Sequence, residues 1–202
     1  KALVIVTVTT TDPALSCVLE PGASEPSERL EVVRRAREAG FFAGVMAMPL
    51  CPGLTDAPAS TDRLFTACAE SGAQFVYPGG LTLRPGRQKE HFLSVLSKNY
   101  PLLSEGYRDI YAENRKSGMP KLAVVQPLMR EWNRRLSAMG MPCMIPHGIY
   151  RELLSPPDSL FVLLCHLDHL YSMRGVDTRP LRAATDRYAS WLSENRTSLR
   201  RK

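Results

Sequence analysis

Apolar residues in the first hundred positions form short runs, and an amphipathic segment follows each run. The runs LVIVTVTTT, FFAGVMAMPL and AQFVYPGG begin near residues 3, 42 and 73, and the first has the β-branched density of a strand buried on both faces. Strand starts that are roughly 30 to 40 residues apart suit βα units with parallel strands. The pattern therefore predicts three βα units, which form half of a (β/α) barrel or a small open sheet.

The ends of the first helices can be predicted from capping residues. Helical segments lie in SEPSERLEVVRRAREAG, STDRLFTACAESG and QKEHFLSVLSKNY, and we expect a turn-rich loop between the first strand and the first of them. The expected N-caps are Ser24 or Ser27 in the first helix and Ser60 or Thr61 in the second, with Gly40 and Gly72 as the residues that end them.

From about residue 105 the pattern predicts helices alone. We therefore place a boundary near residue 104, between an α/β part at residues 1–104 and an all-helical C-terminal subdomain at residues 105–202. Because βα loops leave the C-terminal ends of parallel strands, we expect an active site to be built from residues 9–12, 49–56 and 78–86.

Composition narrows the class of protein. With 44% hydrophobic and 23% charged residues, the chain is typical of a soluble globular protein. No apolar run reaches the ~18 to 20 residues of a membrane span, and the first residues lack the flanks of a secretory signal, so we expect a cytoplasmic protein with no membrane partner.

The five cysteines are scattered without a CxxC pair, which argues against a disulfide framework and a self-contained metal site. Part of the net charge of +6 lies in the tail RTSLRRK, which we expect to be a solvated terminus.

The threonines that end the first strand are the first candidates for chemistry. Strand alternation sends Thr7, Thr9 and Thr11 to one side and Thr10 to the other. Threonine hydroxyls at a barrel mouth can hydrogen-bond a ribose or a carboxylate, but threonine is also simply a good strand former. From the residues alone, the structural interpretation is favoured.

Glu20 is the second candidate, because Pro21 restricts its backbone to an extended conformation. A carboxylate held there can pair with an arginine across the loop, and Arg29 at the start of the next helix is the natural partner. An ion pair that braces the loop is favoured over a direct action on a substrate.

Other polar residues carry weaker signals. Asp56 is expected to cap the helix that follows it, and Cys51 merits attention as a cysteine at a strand end. His166 and His169 form an HxxH pair without a third ligand at a recognisable spacing, so a metal site is not favoured. His147 is expected at a helix N-terminus. No G-x-G-x-x-G, P-loop, HExxH or G-x-S-x-G motif occurs, which excludes the commoner nucleotide-binding, protease and hydrolase classes.

Several of these segments together resemble a known family. The resemblance is to the spore photoproduct lyase-like branch of the radical S-adenosylmethionine (SAM) enzymes, also labelled DNA repair photolyase-like. The segments that resemble this branch are VTVTTTD, LEPGASEPSERLEVVRRAREAGFFAGVMAMPLCPGLTD, GAQFVYPGGLTLRP and HFLSVLSKNYP. The resemblance covers residues 3 to about 104, and IPHGIY with the last two helices more loosely. Two pieces are specific in combination, although neither is diagnostic alone. The first piece is TTTD followed by LEP, and the second is PLCPGLTD.

The resemblance implies a partial (β/α)6 barrel, of which this chain supplies the fourth, fifth and sixth strands. In the family, a CxxxCxxC loop holds a [4Fe–4S] cluster, and reductive cleavage of bound SAM yields a 5′-deoxyadenosyl radical that abstracts hydrogen from the substrate. This sequence has no CxxxCxxC. We therefore expect a missing N-terminal half of the same polypeptide to supply the cluster ligands, and this chain alone to ligate no metal and to be inactive. Nucleic acid is the macromolecular substrate that the branch label implies.

The resemblance also implies roles for individual residues. Thr9, with Thr7 behind it, corresponds to the position where a small hydroxyl meets the ribose or the methionine end of SAM. Met48 and Pro49 correspond to the strand end that lines the adenine, and Tyr77 flanks the same pocket.

Glu20 and Arg29 match the recurring EP…R of the branch, where the pair braces a loop.

Two hypotheses from other classes remain open. The chain could be a non-catalytic α/β scaffold that binds a protein or nucleic-acid partner, or part of an ordinary barrel enzyme for a phosphorylated metabolite, with Gly79 and Gly80 near the phosphate.

Overall fold

Three parallel strands form the only sheet in the part of the chain that is described. The computed structural model describes residues 1–199, without the side chains of Met173 and of residues 197–199. The strands are β1 (Leu3–Thr7), β2 (Phe42–Leu50) and β3 (Val76–Gly80), in the order β1-β2-β3. The predicted α/β fold with three parallel βα units is confirmed at this level, and the placement of the strands in a barrel stays a prediction.

Residues 1–199 contain nine helices, two of which lie between β1 and β2 and one between β2 and β3. They are α1 (Pro13–Leu19), α2 (Pro26–Glu38), α3 (Pro58–Glu70), α4 (Arg87–Asn99), α5 (Pro101–Ile110), α6 (Leu122–Ala138), α7 (His147–Leu153), α8 (Pro156–Met173) and α9 (Arg179–Leu199). The purely helical order beyond residue 105 agrees with the sequence pattern.

The first three helices begin at residues other than the predicted ones. α1 occupies the expected loop, and the Asp12 carboxylate caps it by accepting from the backbone N–H of Ala14 at 2.9 Å. α2 begins after Glu25 and α3 after Ala57, so the serine and threonine caps were wrong. Each of these helices has a proline in its first positions, whose fixed φ favours a helix start there. Gly40 and Gly72, both with a φ of +79°, follow α2 and α3 as predicted.

One face of the sheet carries the main hydrophobic core. The strands contribute fully buried small side chains to this core, and side chains of α2, α3 and α6 cover the strands. The core residues include Val8, Val33, Ala43, Val45, Ala47, Leu64, Phe65, Val76 and Leu136. Alternate residues point to the opposite face, where Ile5 and Tyr77 are 38% and 41% exposed. The prediction that β1 is buried on both faces was therefore wrong. In the described residues β1 pairs with β2 alone, and α2 packs on one side of it.

The described chain divides into two compact units. One comprises Leu3–Ile145, and the other comprises residues 146 onward together with Lys1–Ala2. The division does not fall near residue 104, because α6, which lies beyond that point, still belongs to the core of the sheet. Trp132 and Leu136 of α6 are 2% and 0% exposed and pack in the same cluster as the strands.

The second unit consists mainly of α7, α8 and α9. Tyr188 on α9 donates its hydroxyl hydrogen bond to the carbonyl of Pro157 at 3.1 Å, and Arg182 pairs with Asp168 of α8 at 3.2 Å. Across residues 1–199, no helix has the length and hydropathy that a membrane span requires. The basic tail RTSLRRK begins within α9, and its last residues, 200–202, lie outside the described residues together with the side chains of residues 197–199. The expectation of a solvated terminus therefore stays a prediction.

Candidate functional site

The threonine run after β1 is divided between the surface and the interior. Pairing of the strand ends at Thr7, whose side chain is exposed, whereas Thr9 and Thr10 are 3% and 6% exposed. The Thr10 hydroxyl accepts from the backbone N–H of Asp12 at 3.0 Å and so stabilises the turn into α1. The predicted alternation through Thr11 stops at Thr7, because the chain leaves the sheet to enter this helix.

A hydrogen-bonded cluster around Arg29 fixes the end of β1. The Arg29 Nη1 atom lies 2.8 Å from Glu20 Oε2 and 3.1 Å from the carbonyl oxygen of Thr7, and Nε lies 2.8 Å from the carbonyl oxygen of Ser24. The Thr9 hydroxyl approaches the same Glu20 oxygen at 3.4 Å. The ion pair that the sequence predicts is therefore present. Its two side chains are 12% and 24% exposed, so water screens it less than a surface pair.

The other nitrogen of the same guanidinium, Arg29 Nη2, is buried and has no hydrogen-bond partner among the described residues. A buried donor without a partner costs about 1 to 3 kcal/mol. Acceptor oxygens of a ligand, such as ribose hydroxyls or a carboxylate, would suit this position. No local pattern indicates this unused donor, because the contacts of the guanidinium depend on how the loop folds back.

An apolar strip lies beside this cluster on the face of the sheet opposite the core. Strand register pairs Thr7 with Met46 and Met46 with Tyr77, so the three side chains share one face. Met48 lies against Gly79, where an added Cβ would be 3.0 Å from the methionine Cε. The predicted residues Met48 and Tyr77 therefore lie on neighbouring strands at the same edge. Pro49, also predicted, is half-buried at the end of β2.

The loop after β2 is held by its own hydrogen bonds. The Thr55 hydroxyl accepts from the backbone N–H of Cys51 at 2.7 Å, and the Asp56 carboxylate accepts from that of Gly53 at 2.7 Å. Asp56 therefore braces the loop, and the prediction that it caps α3 was wrong; burial raises its pKa. Burial also raises the pKa of Cys51 to about 12, so its thiol stays protonated at neutral pH and is a poor nucleophile.

Two buried tyrosines, Tyr107 on α5 and Tyr111 directly after this helix, position the loops at this edge, and sequence reasoning missed them. Tyr107 donates to the carbonyl of Pro52 at 2.7 Å, and Tyr111 donates to the carbonyl of Leu81 at 2.8 Å. Burial raises the pKa of both phenols. Their spacing of four residues places them on one helical face, which was the signal available in the sequence.

The histidines of the second unit make structural contacts. His147 begins α7, as predicted, and its Nε2 lies 3.1 Å from the Ser159 hydroxyl oxygen. The ring of His166 meets that of Tyr150 edge-on at 5.7 Å between centroids, and burial lowers the pKa of His166. In residues 1–199, no three histidine, cysteine or acidic side chains are grouped so as to hold a metal ion.

The cofactors that the resemblance implies fit this edge unequally. The chemistry of SAM fits in part: the exposed Thr7 offers a hydroxyl, Arg29 Nη2 offers a donor, and Met48 and Tyr77 offer apolar surface for a flat ring. Thr9 does not offer a free hydroxyl, because it is 3% exposed and its hydroxyl is directed to Glu20. Thiolate ligands for a [4Fe–4S] cluster do not fit, because the free cysteines are scattered over five separate elements and loops.

Comparison with family models, with curated proteins and with solved structures found no match. The hypotheses about function therefore depend on the residues of this edge and on the resemblance of its segments.

Proposed function

We propose that this chain forms part of a radical SAM enzyme of the spore photoproduct lyase-like type, and that the C-terminal edge of its sheet forms one wall of the SAM pocket. The observation that carries the proposal is the open face of the parallel sheet. There the strip of Thr7, Met46 and Tyr77 ends beside the Glu20–Arg29 pair.

In this proposal the two groups of residues have different tasks. Tyr77, which is 41% exposed, offers a face on which the adenine ring stacks, and Thr7 donates or accepts a hydrogen bond at its rim. The Glu20–Arg29 pair holds the end of β1 so that the threonine oxygens keep their positions. Together with a [4Fe–4S] cluster, bound SAM would supply the radical chemistry, and the cluster thiolates would come from another part of the polypeptide.

The test uses the complete gene product that contains this chain. It is reconstituted anaerobically with iron and sulfide, reduced, supplied with SAM and assayed for 5′-deoxyadenosine. We expect 5′-deoxyadenosine from the complete product and none from the 202-residue chain alone. Absence of 5′-deoxyadenosine from a product whose cluster is shown by spectroscopy would refute the proposal.

Variants of the complete product test the assigned edge. Loss of one stacked ring costs about 1 to 3 kcal/mol, so Tyr77→Ala should weaken SAM binding roughly 5- to 150-fold. Tyr171, which is 44% exposed on α8, provides a matched control, and Tyr171→Ala should leave SAM binding unchanged. Equal affinities of the two variants would show that Tyr77 does not contact SAM.

A non-catalytic scaffold is the second candidate, and the surface of α8 favours it. Leu160, Leu170 and Tyr171 on this helix are each 44% exposed, so they offer apolar surface to a partner. A scaffold of this kind would bind a protein or nucleic-acid partner. The same assay separates the two functions, because a scaffold yields no 5′-deoxyadenosine.

A further inference from the structure

A cavity of about 180 Å³ lies above the C-terminal edge of the sheet, within the first unit. It lies between the end of α1 and the middle of α4, and its apolar walls include Val18, Leu19, Leu81, Leu83, Phe92 and Val95. An apolar cavity of ~150 Å³ in another protein is known to hold benzene. The present cavity therefore has the size for one aromatic ring with a small substituent.

The cavity opens onto a polar shelf along α4. Gln88 and His91 line both the cavity and the shelf, and Arg87, Glu90 and Ser94 complete the shelf. The side chains of Gln88 and His91 make no hydrogen bond within the described residues. Both side chains are exposed at the mouth of the apolar cavity, so they can hydrogen-bond the polar edge of a ligand that enters it.

The shelf carries one cation, Arg87, and one carboxylate, Glu90, and of these two groups only Arg87 can pair with an anionic ligand. Lys89 is occupied, because its Nζ donates to the carbonyl of Tyr111 and to Asn114 Oδ1, both at 2.7 Å. Arg87 forms no ion pair within residues 1–199, and its side chain is exposed. A guanidinium in this position can bind a carboxylate or a phosphate with two parallel hydrogen bonds.

We propose that this cleft binds a single aromatic ring that carries an anionic substituent. The ring enters the apolar cavity against Phe92, Gln88 and His91 hydrogen-bond its polar edge, and Arg87 pairs with the carboxylate or phosphate. The inference goes beyond the proposed radical chemistry and does not depend on it, because neither SAM nor a cluster takes part in binding.

The test is a titration of the 202-residue chain, without cofactors, followed by NMR. The probes are phenyl phosphate and benzoate, with benzamide as the uncharged ring and inorganic phosphate as the anion without a ring. We expect at least one charged ring to bind about tenfold more tightly than benzamide and phosphate. The tighter of the two charged probes identifies the anionic group, and either order supports the proposal. Failure of both to exceed benzamide would overturn it.

Variants on α4 locate the site. Arg87→Ala should remove the preference for the charged rings, whereas Lys98→Ala, at an exposed cation on the same helix, should keep it. Val95→Trp should fill the cavity and abolish binding of every ring. His91→Ala, at an exposed position, is the second test if Val95→Trp does not fold, and should weaken binding severalfold. Unchanged affinity in Arg87→Ala and His91→Ala would overturn the proposal, whatever the outcome for SAM cleavage.

Discussion

Replacing Arg29 by methionine tests whether its cluster holds the end of β1 in place. Methionine keeps much of the length and apolar surface of the side chain but removes every donor. It therefore breaks the hydrogen bonds to the carbonyl oxygens of Ser24 and Thr7 and to the Glu20 carboxylate, at 2.8, 3.1 and 2.8 Å. Glu20 is then left without its partner although its side chain is only 24% exposed.

The expected cost follows from these hydrogen bonds. Ser24 and Thr7 are exposed, so water can replace part of each bond, and each loss costs about 0.5 to 1 kcal/mol. The unpaired, largely buried carboxylate adds about 1 to 2 kcal/mol, discounted for its remaining exposure. The sum of ~2 to 4 kcal/mol corresponds to a fall of roughly 5 to 15 °C in the melting temperature of a chain of this size.

Thermal and urea unfolding, followed by circular dichroism, measure the effect. Arg35→Met is the matched control, because Arg35 lies on the same helix and pairs with Glu31, but its side chain is 75% exposed. We expect the control to melt close to the unchanged protein. A double variant, Glu20→Met with Arg29→Met, should cost less than the two single variants added together, since no charge is left unpaired. Equal melting temperatures for Arg29→Met and Arg35→Met would refute the reasoning.

Three further predictions concern packing, thiol chemistry and pH. A Cβ at Gly44 would lie 2.4 Å from the ring of the fully buried Phe75, so Gly44→Ala should destabilise the protein by about 1 to 3 kcal/mol in urea unfolding. Gly106→Ala, in α5 with open space around it, should instead stabilise the protein by about 0.5 to 1 kcal/mol. A lower free energy of unfolding in both glycine variants would contradict this reasoning. After alkylation at pH 8, mass spectrometry should find the exposed Cys17 modified. Cys51 should stay unmodified, because it is buried and its pKa is raised to about 12. Rapid alkylation of Cys51 in the folded protein would show that it is not buried. Because the folded-state pKa of Cys51 lies above its ordinary value of 9.0, its stabilising contribution is complete below pH 9 and is lost as the pH rises toward 12. Urea unfolding at about pH 8 and pH 11 should therefore show a larger loss of stability in the unchanged protein than in Cys51→Ala, and equal losses would contradict the shift.

Local patterns in the sequence were sufficient to predict the strands, the glycines that end α2 and α3, and the Glu20–Arg29 pair. These features depend on a few neighbouring residues or, for the ion pair, on nine residues of separation with a proline that limits the backbone between them. Helix starts were predicted less well, since several residue types compete for the cap, and the prolines at α1, α2 and α3 set where each helix begins.

The set of residues that meet at the C-terminal edge of the sheet depends instead on tertiary packing. The hydrogen bond from Tyr107 to Pro52 joins positions 55 residues apart, and the cavity brings Leu19 and Phe92 together from distant parts of the chain. The open face of β1 likewise depends on which elements cover it, because the same β-branched sequence suits a strand with one covered face or two. Local sequence sets backbone preferences over a few residues, whereas long-range contacts depend on how whole elements pack. The unused groups Arg29 Nη2, Gln88 and His91 are therefore visible only in the folded chain.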